Sequence, residues 1–108
     1  MSETIWSETE KIVADKAFKK AYDCEITSLM NIIRQKTTEI AEIGDLWRLH
    51  DFLSAKRHQI DGKYDYRDGV LIFVFAQLVQ EGWLQVEDLD GLTTDKLSKI
   101  SALARVGF

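Results

Sequence analysis

The sequence predicts an all-α fold: a long helical hairpin forming a stalk, joined to a small two-helix head. Three observations carry this expectation. The 108-residue chain has no proline, the residue that most often breaks or kinks a helix. Apolar residues recur at spacings of three, four and seven over long stretches. The hydrophobic fraction of 45% and the charged fraction of 30% are those of a soluble globular chain. Residues 1–108 read as a single helical domain, with the stalk over about 7–64 and the head over about 67–105.

Ser7-Glu8-Thr9-Glu10 has the form of a capping box, in which Ser7 caps and Glu10 reaches back to the Ser7 amide. Phe18, Tyr22, Ile26, Leu29, Ile33, Ile40 and Ile43 then mark one helical face up to Gly44. This predicts a helix of about 35 residues, roughly 50 Å long at ~1.5 Å per residue. Val13, Met30 and Ile32 lie off that face and widen an apolar surface that one short chain can hardly cover. Gly44 is expected near the end of this helix, with Asp45 capping the next.

The second helix carries the apolar stripe Leu46, Leu49, Leu53, Ile60 and Tyr64, and runs to about Lys63, where Gly62 and an Asp/Tyr cluster break the pattern. In VLIFVFAQLV, Val70, Ile72 and Val74 favour strand. The run continues through Ala76–Glu81, too long for an ordinary strand, so it reads as a buried helix ending at Gly82. Trp83–Leu92 is acidic and irregular. Thr93 or Thr94 then caps a final helix bearing Leu97, Ile100, Leu103 and Ala104.

Several function classes are disfavoured by composition. The net charge of −4 gives no nucleic-acid footprint, and the short basic run Lys56-Arg57-His58 with Lys63 is offset by Asp61 and Asp65. The longest apolar run, Val70–Ala76, is far short of the ~20 residues that span a bilayer. The acidic start MSETIWSETE lacks the apolar core of a signal peptide. Cys24 is the lone cysteine, which fits a reducing compartment. It reads as a half-buried helix residue between the acidic Asp23 and Glu25, not as a nucleophile. The expected protein is cytoplasmic and not inserted in a membrane.

The most informative feature is the face of the second helix beside its apolar stripe. Trp47, His50, Asp51, Ser54, Arg57, His58 and Asp61 fall within roughly a third of the circumference at ~100° per residue. A solvated face is ordinarily rich in Lys and Glu and free of Trp. This one has the composition of a binding surface, and Trp47 and Arg57 are of the types enriched at interface hot spots. Phe18, Tyr22, Phe52, Phe75 and Trp83 read instead as packing residues. His50-Asp51 is also the dipeptide of a class of metal-dependent phosphohydrolases. Such sites need further ligands from other helices, and His58 is the only other histidine. Neither Glu-x-x-His nor His-Glu-x-x-His occurs, nor a Gly-rich phosphate loop nor a nucleophile elbow. No catalytic residue, metal or cofactor is therefore assigned, although a small His-Asp metal-dependent hydrolase or metal-binding bundle stands as the alternative class.

Asp51 and Arg57 are six residues apart, too far to pair within one helix. A self-crossing of two antiparallel copies centred on Ser54 places residue i opposite residue 108−i. Asp51 then meets Arg57 of the second copy, His50 meets His58 and Trp47 meets Asp61, each relation occurring twice as a two-fold demands. The alternatives are that both face water, or that Asp51 pairs locally with Arg48.

The segments DLWRLHDFLSAKRHQIDGKYDYR, VLIFVFAQLVQEG and DKLSKISALAR resemble the fluorescence recovery protein family of cyanobacteria, over about Asp45–Arg105. Before Gly44 the likeness is looser: an early Trp, here Trp6, and the long amphipathic helix. The resemblance implies an elongated antiparallel all-α homodimer with a helical stalk and small heads, and no enzymatic activity. It implies a cytosolic protein on the phycobilisome side of the thylakoid. It would bind the photoactivated orange carotenoid protein, chiefly at that protein's C-terminal domain, hasten its return to the orange form and its detachment from the phycobilisome, and so end photoprotective quenching. By motif, Trp47, His50, Asp51 and Arg57 correspond to the family's surface near the dimer centre, with Leu46, Leu49, Leu53 and Ile60 as the dimer stripe. Phe73 and Lys99 correspond to a second contact on the head, an assignment that rests on resemblance alone. The Val106-Gly107-Phe108 tail has no assigned counterpart. A dimeric helical scaffold with another partner is the remaining alternative.

Overall fold

The computed structural model describes residues 5–107. Met1–Thr4, the first part of the acidic start, and Phe108 of the C-terminal tail lie outside the described residues. Four α-helices follow in order: α1 (Glu8–Thr38), α2 (Ile43–Lys63), α3 (Leu71–Gln80) and α4 (Thr94–Val106). A short 3-10 turn, Val86–Leu89, precedes α4, and an isolated bridge between Asp90 and Leu92 is the nearest approach to sheet among the described residues. The molecule is elongated, 54 × 25 × 24 Å. The all-helical expectation holds.

The Ser7 capping box forms in both directions: Glu10 N–H donates to Ser7 Oγ and Ser7 N–H to Glu10 Oε1, each at 3.1 Å. The far end of α1 departs from expectation. The helix stops at Thr38, not Gly44, because Thr37 and Thr38 turn their hydroxyls back onto the carbonyls of Arg34 and Gln35, both at 2.7 Å. Such back-bonding, in two adjacent β-branched residues, weakens the last turn. Asp45 is likewise not the N-cap of α2. It is the third residue of that helix, and its carboxylate accepts the N–H groups of Ala41 (3.0 Å) and Glu42 (3.1 Å). The orphan donors are thus satisfied from inside the helix, and Gly44 is absorbed into its first turn. Tyr64, expected within the stripe, instead ends α2 as its C-cap.

The core sits in the head. Phe75, Leu71, Leu78, Leu84, Leu89 and Ile100 are fully buried there. The face of α1 that closes this core is Ala14, Ala17 and Ala21, flanked by the buried Glu10 and Glu25, with Phe18 packed only at its edge and Tyr22 exposed. Periodicity weighted toward large apolar residues passes over alanine, yet its small side chain is what lets α1 lie close against the head. Trp6 is also buried, meeting Phe75 edge to face and donating its indole N–H to Asp68 O at 3.3 Å. Lys96 fixes the same corner. Its ammonium lies 3.0 Å from both oxygens of Glu10, 2.7 Å from Ile5 O and 4.9 Å above the Trp6 ring. VLIFVFAQLV is a helix, as expected, and ends beside Gly82 in the left-handed region (φ 86°). Thr93 is the cap of α4.

The stalk has little core of its own. Ile60 is the one buried apolar residue of α2, and none of the residues of α1 beyond Glu25 is buried. Tyr22, Met30, Ile32, Ile40, Ile43, Leu46, Trp47 and Leu53 are all exposed. Cys24, expected half-buried, is exposed as well, one position round the helix from the inward-facing Glu25.

Candidate functional site

α2 presents the strip read from the sequence as a continuous outward surface. Trp47 is 58% exposed. Its indole meets the His50 ring edge to face, centroids 6.5 Å apart, and His50 Nδ1 lies 3.3 Å from Asp51 Oδ1. Arg57 stands two turns along, 3.8 Å from Asp61 on the next turn. Asp51 and Arg57 do not meet within the chain. The local partner considered for Asp51 is taken: Arg48 pairs with Asp45. This pairing and the N–H donors of Ala41 and Glu42, which act most strongly, hold the Asp45 carboxyl below the usual range.

Beside the strip, an open groove of about 670 Å³ runs between α1 and α2, lined by Tyr22, Ile26, Leu29, His50, Leu53, Ser54, Arg57, Ile60 and Asp61. Its floor is aliphatic and its rim is ionic. Of the stripe residues, Leu46 and Leu53 are exposed, Leu49 is half-buried and Ile60 is buried. The same helices form an aromatic nest at the head end, where Phe18 contacts Tyr64 and Tyr66 edge to face and Tyr22 contacts Tyr64. At the other end Phe52 is half-buried beneath the ammonium of Lys36, at 4.7 Å. A larger open depression, about 850 Å³, follows Asp23–Glu39 on α1 alone and lies open to solvent, so it offers no enclosed site.

Phe73 and Lys99 lie elsewhere, on α3 and α4 of the head. Phe73 is the one large apolar residue of α3 turned outward, 52% exposed. Lys99 is exposed and pairs with Asp95 at 3.1 Å. Among the described residues no group of three or more His, Cys, Asp or Glu side chains is placed to hold a metal ion. No helix there is long and apolar enough to cross a membrane.

Residues 6–104 match the family described as "Photoprotection regulator fluorescence recovery protein". The chain belongs to that family. It is 53% identical over 105 residues to the fluorescence recovery protein of Synechocystis sp., a match spanning 97% of this chain and 96% of that protein. Its fold is similar to the solved structures of the fluorescence recovery proteins of Fremyella diplosiphon and Synechocystis sp.. Each aligns with a TM-score of 0.90 at 54% identity, over 94% of this chain and 99% of that one. Family membership makes this chain a photoprotection regulator.

Two buried ion pairs escaped the sequence reading. Glu10 was legible as a cap and nothing more, and Lys96 gave no signal at all. Glu25 continues the Ala14-Ala17-Ala21 face at helical spacing, the one hint that it turns inward. Its partner, Lys63, looked like an ordinary basic end to α2.

Proposed function

We propose that this chain is a non-enzymatic regulator that binds the photoactivated orange carotenoid protein through that protein's C-terminal domain. It would hasten the red-to-orange return and detachment from the phycobilisome, in a cyanobacterial cytosol and without a cofactor. The observation that carries this reading is the exposed strip of α2, where Trp47 stands among His50, Asp51 and Arg57 beside uncovered Leu46 and Leu53. None of the described residues covers that surface, and its composition is that of an interface core with an ionic rim.

The working assembly is an antiparallel homodimer that crosses near Ser54 and covers Leu46, Leu49, Leu53 and Ile60. Trp47 and Phe73 would bury area against the partner, while Arg57 and Lys99 orient its acidic groups. Such a factor acts by differential binding. It holds the activated carotenoid protein in the arrangement from which its domains reassociate, and is itself unchanged. The His50-Asp51 pair does not favour a hydrolase, since no further ligand approaches it among the described residues.

The experiment is to mix the chain with photoactivated carotenoid protein and time the colour change in darkness. Acceleration is expected, reduced about 30-fold by Trp47→Ala if Trp47 is a hot spot worth ~2 kcal/mol. An unaltered dark recovery would sink the reading.

A further inference from the structure

Where α2 meets the head, a charge network centres on a buried ammonium, with Glu25 buried beside it and Glu81 at the surface. Lys63, the last residue of α2, has only 4% of its side chain exposed. Its ammonium lies 2.6 and 2.8 Å from the two carboxylate oxygens of Glu25 on α1, and 2.6 Å from Glu81 at the C-cap of α3. Glu25 also accepts the Tyr64 hydroxyl at 2.8 Å. Glu81 accepts Gln77 Nε2 at 2.9 Å and the Trp83 indole N–H at 3.2 Å. Three helices and the turn after α3 therefore converge on one ammonium.

This matters because α2 has so little else to hold it. Ile60 is its one buried apolar residue, and apolar contact is non-directional, so it permits sliding and tilting. Charge-assisted hydrogen bonds to two fixed carboxylates do not. Lys63 thus ties the end of α2 to both α1 and the end of α3.

We infer that Lys63 is a positioning residue for the regulator: it holds the α2 strip at the angle to the head at which one partner molecule touches Trp47 and Phe73 together. The inference rests on the proposed reading that both surfaces meet the same partner. Two contacts on a rigid frame act as a bivalent ligand, the second being made at high effective concentration once the first has formed. Loosening the frame removes that advantage without altering either contact. The effect of Lys63 is thus on the coupling between surfaces, which a residue that merely stabilises the fold would leave intact.

The test has two arms. In the first, spin labels are placed at Arg48→Cys and Ser98→Cys in a Cys24→Ser background, diluted into unlabelled protein so that one labelled chain is read at a time. A narrow distance distribution is expected for the parent, a broad one for Lys63→Met, and a narrow one again for Lys63→Arg. An unchanged distribution in Lys63→Met overturns the pivot. Should that variant fail to fold, Glu81→Gln weakens the network without leaving a buried unpaired charge, and should broaden the distribution to a lesser degree; no broadening counts against the pivot. In the second arm, Phe73→Ala is measured for binding to photoactivated carotenoid protein in two backgrounds. It should weaken binding tenfold or more in the parent but less than twofold in Lys63→Met. Equal weakening in both overturns the positioning role. A parent that binds no carotenoid protein overturns the functional reading and the role of Lys63 in it, an outcome told apart because the distance arm still decides the pivot.

Discussion

Reversing the charge of Asp51 is the direct test of the two-fold seam proposed along α2. Asp51 and Arg57 have 81% and 85% of their side chains exposed in the single chain, so their pairing across two copies is that of a lightly buried ion pair. Such a pair is worth ~0.2–1 kcal/mol and occurs twice in the dimer. Asp51→Arg removes both attractions and sets like charges together, for a total of about 1–4 kcal/mol, or roughly one to three decades in the dimer Kd. Adding Arg57→Asp to the same chain restores opposite charges at both crossings. The Kd should return toward that of the parent, since the new carboxylate at position 57 stands one turn from Asp61 within the same chain, where Arg57 now pairs at 3.8 Å, and so weighs on monomer and dimer alike. That like-charge neighbour costs ~0.2–0.5 kcal/mol. Sedimentation velocity over a dilution series reads the Kd of parent, single and double variants, and 1 M salt should shrink the differences by screening. A double variant as weak as Asp51→Arg, or a single variant that associates like the parent at low salt, refutes the Ser54-centred crossing.

Two further predictions concern the head. Lys96→Met should cost about 3–5 kcal/mol in urea unfolding near neutral pH, because it leaves the Glu10 carboxylate buried without its ammonium. Burial alone would raise the Glu10 pKa, but hydrogen bonds from Ser7 N–H, Thr93 N–H and Lys96 outweigh it and bring the value down to about 2, from 4.5. The folded state therefore holds this proton less tightly than the unfolded chain. A stabilisation of about 3 kcal/mol is complete above about pH 4.5 and is lost as pH falls toward about 2. The parent's stability should slope across that window, and an equally steep slope in Glu10→Gln would count against the assignment. Phe75→Ala empties the centre of the head, where Phe75 is fully buried, and should cost ~3–5 kcal/mol with helix content retained at low temperature. A loss under ~1 kcal/mol would mean that the core collapses freely around the gap.

Much of this protein was determined by the sequence alone. Helix periodicity, the Ser7-Glu10 box, Thr93, Gly82 and the absence of proline specify four helices, because each acts through neighbours a few residues away. The strip on α2 was legible for the same reason, since its members share one helix and their angular positions follow from numbering. The family likeness, too, is carried by contiguous segments, and it alone points to Phe73 and Lys99. What the tertiary structure decided are the relations between elements. It chose the alanine face of α1 for the core over the larger residues beside it, because close approach and not side-chain size governs that seam. It brought Lys96 to Glu10 and Lys63 to both Glu25 and Glu81, pairings between residues far apart in the chain that no periodicity encodes. The end of α1 at Thr38 and the start of α2 ahead of Asp45 are local by contrast, set by hydroxyl and carboxylate side chains that bond the backbone three or four residues away, a signal that apolar periodicity does not carry. A lysine read alone is a solvated charge. Only the fold, by taking water away and supplying two carboxylates, makes Lys63 the joint between stalk and head.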